Sequence, residues 1–294
     1  MPSYPLLQVD AFTATPLRGN PAAVVLDAAG LADATMQAIA REMNLSETAF
    51  VSPPQTDGAD FAARFFTPAK EIPLPGHPII ATAQALTDAG RWGLAPGSAL
   101  RLETRRGIVP VTHRDDAPGP RWIITQPRPE WGRHYAPELV APLLSVTLED
   151  IVSPPQTVST GTPQLMIMVR SPELLDSLHP DLGGLERLTF EGDFFSIHVF
   201  ALSGRASGTD VYARHFAPAA GVTEDPVTGS ASGAMGAYLV RHRRISTRSL
   251  IAEQGASVGR PGTVFIEVTG DGDEIGAVRV GGQAVTVLRG ELML

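Results

Sequence analysis

The sequence predicts an α+β protein made of two similar halves, each a curled, mostly antiparallel sheet around a central helix of small residues. Short segments rich in β-branched and aromatic residues, separated by Pro, Gly and Asn turns, outnumber the helical segments. A motif of the first half also recurs 150 residues later, as "RFFTPA" at 64–69 and "RHFAPA" at 214–219. Each copy leads through an acidic turn into a helix of small residues, so we expect a duplicated domain.

The first half reads as strands interrupted by two helices. "QVDAF" and "PAAVVLDA" are strands around a Pro/Gly/Asn turn. Apolar residues recur every three to four positions in "GLADATMQAIAREMN", which predicts a helix with Asp33 as N-cap and Asn44 just past its end. Strands in "LSETAFVSPP" and "ADFAARFFTP" precede a second helix, which begins at "GHP" with Pro78 at its first position and closes at Gly90.

Strands "ALRLETRRG" and "IVPVTHR" end this half, and "HRDDAPGPR" is the best linker candidate. We therefore predict domains at 1–117 and 118–280, with 281–294 as a terminal strand that could return to the first half. The second half contains, in order, strand "LMIMVR", helix "SPELLDSLH", strands "FFSIHVFAL" and "DVYARHFAP", a helix in "GSASGAMGAYLV", and strands "GTVFIEV" and "AVTVLRGEL".

The helix in "GSASGAMGAYLV" is unusually thin. Each glycine costs a helix about 1 kcal/mol relative to alanine, so something other than local stability favours small residues here. Either other elements pack closely around this helix, or the backbone N–H groups at its N-terminus must contact a ligand directly. Both explanations stay open, and they are compatible.

Composition excludes several classes of function. The net charge of −8 and the 18% of charged residues give no basic surface for nucleic acid. The absence of cysteine excludes disulfides, thiolate metal sites and a thiol acid–base pair. The sequence begins without a basic stretch followed by a long apolar run and contains no apolar span near 18 residues, so we expect a cytoplasmic protein without membrane contact.

Familiar catalytic motifs are also missing. "TGSASG" lacks the Lys-Ser/Thr of a P-loop, and neither Ser230 nor Ser232 has the flanking glycines of a serine hydrolase. The histidines lack the spacing of a metal site, so we predict neither a metal nor a cofactor.

If the two halves face each other, the N-termini of the two thin helices would meet at one cleft and favour an anionic ligand such as a carboxylate. Glu47, His77, Asp225 and Ser230 would supply the chemistry there. Each has a simpler interpretation: Glu47 as a solvated residue after a helix, His77 and Ser230 as helix caps, and Asp225 before a proline as a turn residue.

Several motifs together resemble the PhzF-like family, the phenazine-biosynthesis isomerases, whose fold is similar to diaminopimelate epimerase. The similarity runs through "QVDAFTATPLRGNPAAVVLD", "MQAIAREMNLSETAFV", "RFFTPAKEIPLPGHP", "STGTP", "EDPVTGSASGAMGAYL" and "EQGASVGRPG". The resemblance places the family's catalytic glutamate at Glu47, its glycine–histidine pair at Gly76 and His77, and its aspartate and serine at Asp225 and Ser230. Gly229 begins the second helix, and we expect Gly76, Gly229 and Ser230 to bind substrate.

The resemblance implies cofactor-free proton transfer within a small carboxylate, as in the isomerisation of trans-2,3-dihydro-3-hydroxyanthranilate. Catalysis would fall to Glu47, His77 and Asp225, and the protein would be a homodimer. Diaminopimelate epimerases carry catalytic cysteines where this chain has Pro75 and Thr228, which argues against thiol-based epimerisation. Pro75 also replaces the small residue found in many relatives, which leaves the substrate open. An amino-acid epimerase using carboxylates, or a silent binding protein, remain the alternatives.

Overall fold

The computed structural model describes residues 1–93, 99–116, 119–272 and 274–294. Its helices and strands, in chain order, are β1 (Ser3–Ala11), β2 (Asn20–Val25), α1 (Asp33–Met43), β3 (Glu47–Ser52), β4 (Phe61–Phe66), β5 (Glu71–Ile72), α2 (His77–Asp88), β6 (Ala99–Thr104), β7 (Gly107–Asp116), β8 (Gly119–Gln126), β9 (Glu130–His134), α3 (Pro137–Leu144), β10 (Gln156–Ser159), β11 (Pro163–Met168), α4 (Pro172–Asp176), α5 (Leu182–Glu191), β12 (Ser196–Leu202), β13 (Val211–Phe216), α6 (Gly229–Arg241), β14 (Ser249–Gln254), β15 (Gly262–Val268), β16 (Val278–Gly282) and β17 (Ala284–Met293).

The chain divides into two compact units, which we call unit 1 (Met1–Thr125 with Gly281–Leu294) and unit 2 (Gln126–Val280). The C-terminal strand β17 pairs with β1 inside unit 1. The predicted boundary at 117 and 118 lies outside the described residues. "HRDDAPGPR" is not a linker between the two units, because its flanks belong to β7 and β8, which pair antiparallel.

Both units contain the same series of strand pairings. In unit 1 the order is β17-β1-β2-β3-β4-β6-β7, and in unit 2 it is β9-β10-β11-β12-β13-β14-β15. Read along either series, the pairings are antiparallel, antiparallel, parallel, antiparallel, parallel and antiparallel. The predicted α+β class with mostly antiparallel sheets is confirmed.

The duplication extends to side chains. Arg64 on β4 forms a two-point ion pair with Glu71, and Arg214 on β13 forms the same pair with Glu224. Asp60 and Asp210, 150 residues apart, each accept a 2.7 Å hydrogen bond from a backbone N–H of the neighbouring strand. Equivalent residues of the two copies therefore form the same ion pair and the same hydrogen bond to a neighbouring strand.

One helix lies at the centre of each unit. Nine of the 12 residues of α2 and 11 of the 13 residues of α6 are buried. α2 packs against β1, β2, β3, β7 and β17, and α6 packs against β10, β11 and β15. A helix buried nearly all round needs apolar or small residues on every face, as both sequences have.

The small residues of α6 are explained by close packing. A Cβ on Gly233 would lie 1.9 Å from Oε1 of Gln126, and one on Gly236 would lie 2.6 Å from Cγ2 of Ile266. The first of the two explanations for the thin helix is therefore confirmed at these positions.

Some local predictions needed correction. The N-cap of α1 is Ala32, and Asp33 is the first helical residue, where its carboxylate pairs with Arg64. Asn44 ends this helix in the left-handed conformation, as expected. Pro78 is the second residue of α2 rather than the first. Within the described residues, no helix is long and apolar enough to cross a membrane.

Candidate active site

Glu47 and His77 meet in unit 1. Glu47 is the first residue of β3, and His77 is the first residue of α2. Nε2 of His77 lies 3.2 Å from Oε2 of Glu47, and the side chains are 7% and 18% exposed. Two predicted site residues, 30 positions apart, are therefore in contact in a mostly buried position, and the interpretation of Glu47 as a solvated residue is wrong.

His77 is electrically neutral at neutral pH. Burial lowers the pKa of its imidazole to about 3, although a hydrogen bond to the backbone of Pro21 acts in the opposite direction. The contact with Glu47 is thus a close polar contact between a neutral ring and a carboxyl group rather than an ion pair. A neutral imidazole has one donor and one acceptor nitrogen, so it can orient a neighbouring group or hold a proton.

Ser46 is an additional residue of this cluster. Its Oγ lies 3.3 Å from Nε2 of His77 and donates a 3.3 Å hydrogen bond to Oδ1 of Asn20. Sequence reasoning missed Ser46, because the only signal was its position next to Glu47. The cluster in unit 1 therefore consists of a carboxyl group, a neutral imidazole and a hydroxyl group.

Gly76 is the N-cap of α2, and no side chain among the described residues caps this helix. The interpretation of His77 as a cap is therefore wrong, since His77 lies inside the first turn. The first N–H groups of any helix have no intrahelical acceptor. Together with the helix dipole, they make the start of α2 favourable for an anion.

Unit 2 has a second cluster at the start of α6. Thr228 is the N-cap and Ser230 is the second helical residue, so Ser230 is not a cap either. The Ser230 hydroxyl oxygen accepts a 3.1 Å hydrogen bond from Nε2 of Gln164, and its backbone carbonyl accepts a 3.3 Å bond from Thr160. The carbonyl of Gly229 accepts a 3.0 Å bond from Gln126.

Asp225 lies in the turn that precedes α6. Its carboxylate accepts a hydrogen bond from the Thr228 hydroxyl, as is typical of Asp in a turn. Its N–H donates to the carbonyl of His215 at 2.9 Å, and its own carbonyl accepts a 2.8 Å bond from Gln254. These two hydrogen bonds connect the turn to β13 and β14.

The predicted residues thus fall into two groups: Glu47, Gly76 and His77 in unit 1, and Asp225, Gly229 and Ser230 in unit 2. Sequence reasoning missed the glutamines that hold the second group, since an isolated Gln carries no motif. In the part of the chain that the structure describes, no three His, Asp or Glu side chains are grouped as ligands for a metal ion.

Comparison with known proteins gives a consistent result. Residues 9–290 match the family model PhzC-PhzF, described as phenazine biosynthesis-like protein. The chain is 38% identical to a trans-2,3-dihydro-3-hydroxyanthranilate isomerase of Pseudomonas aeruginosa, over 97% of this chain and 98% of that protein. It is similar to the crystal structure of a PhzF-family phenazine biosynthesis protein of Bacillus anthracis, with a TM-score of 0.89, 31% identity and complete coverage of both chains.

A more distant structure shares the fold alone. The hydroxyproline epimerase of Agrobacterium vitis has a TM-score of 0.63 at 14% identity, over 99% of this chain and 92% of that one. The predicted diaminopimelate epimerase-like fold is confirmed. The predicted family and the prediction of an isomerase are confirmed as well. The chain belongs to the phenazine biosynthesis-like (PhzC-PhzF) family and is an enzyme of the isomerase class.

Proposed function

We propose that this enzyme is a cofactor-independent isomerase that moves a proton between two carbon atoms of a small carboxylic acid. The observation that carries the proposal is the 3.2 Å contact between Glu47 and the neutral, buried His77. A carboxylate at this position is a candidate general base, and the imidazole beside it is suited to orient it or to hold the proton in transit.

The two helix starts support an anionic substrate. The first-turn N–H groups of α2 and α6 have no intrahelical acceptors, and the dipole of each helix favours negative charge there. Gly76 is the N-cap of α2, Gly229 is the first residue of α6, and Ser230 adds a hydroxyl group beside it. We assign a substrate-binding role to Gly76 at the helix start of unit 1, and to Gly229 and Ser230 at the helix start of unit 2.

The similarity to trans-2,3-dihydro-3-hydroxyanthranilate isomerases supports a cyclic, unsaturated amino acid as the substrate class. Glu47 takes a proton from a saturated ring carbon, and the electron pair left behind spreads into the conjugated system. An acid then protonates a different ring carbon; His77 is the candidate for this acid in unit 1, and Asp225 is the candidate in unit 2. One C–H bond breaks and one forms, so the reaction needs no oxidant or reductant.

Pro75 and Thr228 stand where thiol-based epimerases carry cysteines, and the chain has no cysteine. This supports isomerisation through carboxylates rather than epimerisation through thiols.

The test is conversion of trans-2,3-dihydro-3-hydroxyanthranilate in D₂O, followed by NMR and mass spectrometry. We expect a product with a shifted double bond and deuterium at the newly protonated carbon. Inverted configuration with unchanged connectivity, observed with amino-acid substrates, would instead identify an epimerase. Binding of a carboxylate without exchange of any carbon-bound hydrogen would identify a silent binding protein.

A further inference from the structure

Three side chains of unit 2 hold the first turn of α6 from outside the helix. Gln126 donates to the carbonyl of Gly229 at 3.0 Å, and Thr160 donates to the carbonyl of Ser230 at 3.3 Å. Gln164 donates to the hydroxyl oxygen of Ser230 at 3.1 Å. Gln126, Thr160 and Gln164 are 9%, 3% and 1% exposed. Only the bond from Gln164 reaches a side chain that the proposed function uses.

The direction of this bond determines what Ser230 can offer a ligand. A serine hydroxyl has one hydrogen to donate, and an amide nitrogen can only donate. Because Nε2 of Gln164 occupies a lone pair of Oγ, the hydroxyl hydrogen must point elsewhere. Among the described residues, no protein acceptor takes that hydrogen, and Oε1 of Gln164 is buried without a hydrogen-bond partner. Ser232, two positions on, donates its own hydrogen to the carbonyl of Thr228 at 3.0 Å.

We propose that Gln164 is a positioning residue that presents the Ser230 hydroxyl as a hydrogen-bond donor to an acceptor atom of the substrate. Ser230 then acts with the N–H groups of the first turn, and all of these donors favour an acceptor oxygen over a group that can only donate, such as an ammonium. The identification of that oxygen as the substrate carboxylate rests on the proposed function; the orientation of the hydroxyl group does not.

The orientation is tested first, without any substrate. Neutron diffraction from crystals of the deuterated protein locates amide and hydroxyl deuterons. We expect an Nε2 deuteron of Gln164 directed at Oγ of Ser230 and the Ser230 deuteron directed away from Gln164. A Ser230 deuteron that points at the Gln164 amide oxygen would overturn the proposal, whatever reaction the enzyme performs.

The consequence for binding is tested by calorimetry with anthranilate as a non-reacting carboxylate and aniline as its counterpart without a carboxylate. A lost hydrogen bond to a charged group weakens binding by about 10-fold or more, so Ser230→Ala should bind anthranilate about 10-fold more weakly. Gln164→Met leaves the hydroxyl free to rotate and should cost about 3-fold. An ionised Gln164→Glu side chain only accepts, reverses the bond, and should weaken binding at least as much as Ser230→Ala.

A double-mutant cycle separates positioning from general damage to the fold. In the Ser230→Ala background, Gln164→Met should change anthranilate affinity by less than about 2-fold, because the group it positions is gone. Ser232→Ala and Gln156→Met, which alter a hydroxyl and a buried glutamine elsewhere in unit 2, serve as controls and should leave affinity unchanged. An equal loss from Gln164→Met with and without Ser230 would refute the positioning role. If the wild-type protein neither binds anthranilate nor converts the dihydro substrate, the proposed function fails, and the neutron result still decides the orientation.

Discussion

At the scale of single residues, the absence of charge on His77 matters for the chemistry. A cation next to Glu47 would stabilise its ionised form and make it a weaker base, whereas a neutral ring does not. Burial keeps the ring neutral by lowering the pKa of His77 to about 3.

We expect Glu47→Gln to fold normally and to lose most of its turnover. Glutamine keeps the shape of the side chain but removes the base, and general-base catalysis typically contributes about 10²- to 10⁴-fold. Glu47→Asp should retain more activity, although a carboxylate one methylene shorter is displaced from the reacting carbon. The measurement is hydrogen exchange from substrate carbon in D₂O, with the exposed Glu42→Gln as the matched control. If Glu47→Gln exchanged substrate hydrogen at the wild-type rate, Glu47 would not be the base, and Asp225 would become the leading candidate.

The buried histidines predict a specific response to acid. Burial lowers the pKa of His77 and His215 to about 3 and that of His198 well below its usual value. Nδ1 of His198 and Nδ1 of His215 lie 3.2 Å apart, so protonating both rings would bring two positive charges together. Each folded-state pKa is below the unfolded value of about 6.5, so the unfolded chain binds more protons between these limits.

The free energy of unfolding should therefore be insensitive to these histidines above pH 6.5 and fall as the pH drops towards 3. Urea unfolding at a series of pH values measures the slope. His215→Phe introduces the residue found at the equivalent position of the first copy, Phe65, and should reduce proton uptake on unfolding by about one. The exposed His179→Gln serves as the control for loss of a histidine, and an unaltered slope in His215→Phe would show that His215 already titrates in the folded protein.

At the scale of elements, α6 combines a poor intrinsic helix sequence with nearly complete burial. Its glycines give up helix propensity so that Gln126 and Ile266 can approach the helix closely. Packing against β10, β11 and β15 supplies the stability that the local sequence lacks. The amide of Gln126 uses this space to reach the carbonyl of Gly229, which links the thinness of the helix to the geometry of its first turn.

Two helical glycines should therefore respond in opposite directions to alanine. In Gly233→Ala the new Cβ meets the buried Oε1 of Gln126, and such overpacking typically costs about 1–3 kcal/mol. In Gly183→Ala, on α5, the nearest atom is 3.5 Å away, so the gain in helix propensity of up to about 1 kcal/mol should remain. Chemical unfolding of both variants checks the contrast. Equal stabilisation by both would mean that Gln126 moves aside without cost.

Sequence patterns predicted some elements well and missed others for physical reasons. The amphipathic α1 and the acidic turns before α2 and α6 carry strong local signals. α3 contains Pro142 and α5 begins with two glycines after Leu182, which weakens any helical pattern, yet both helices supply core residues such as Leu144 and Leu185. Pairing with β7 makes β8 a strand, and long-range pairing is not visible in a local window.

At the scale of the whole molecule, the repeat was visible in sequence because the same ion pair and turn recur in both copies. The side chains that organise each site were not visible in the sequence, because the contacts of Ser46 and Gln164 form only when distant segments of the chain meet.

The homodimer and the absence of a cofactor stay predictions. Light scattering tests the first, and elemental analysis with an absorption spectrum tests the second.

The duplicated ion pair offers a test of how burial changes the contribution of an ion pair to the free energy of unfolding. The side chains of Arg214 and Glu224 are each 9% exposed, whereas those of Arg64 and Glu71 are 29% and 20% exposed. Arg64 also has Asp33 as a second partner. Removing one member of a buried pair typically costs about 3–5 kcal/mol because it leaves an uncompensated charge, while more exposed pairs contribute about 1 kcal/mol or less.

We therefore expect Glu224→Gln to lower the free energy of unfolding by about 3 kcal/mol and Glu71→Gln by about 1 kcal/mol. Both variants change the same residue type in the same two-point pair with arginine, so each is the control for the other. Urea unfolding at pH 7 gives the two values. Equal losses would mean that water reaches Arg214 in unit 2 as readily as it reaches Arg64 in unit 1, and that burial does not distinguish the two copies of the repeat.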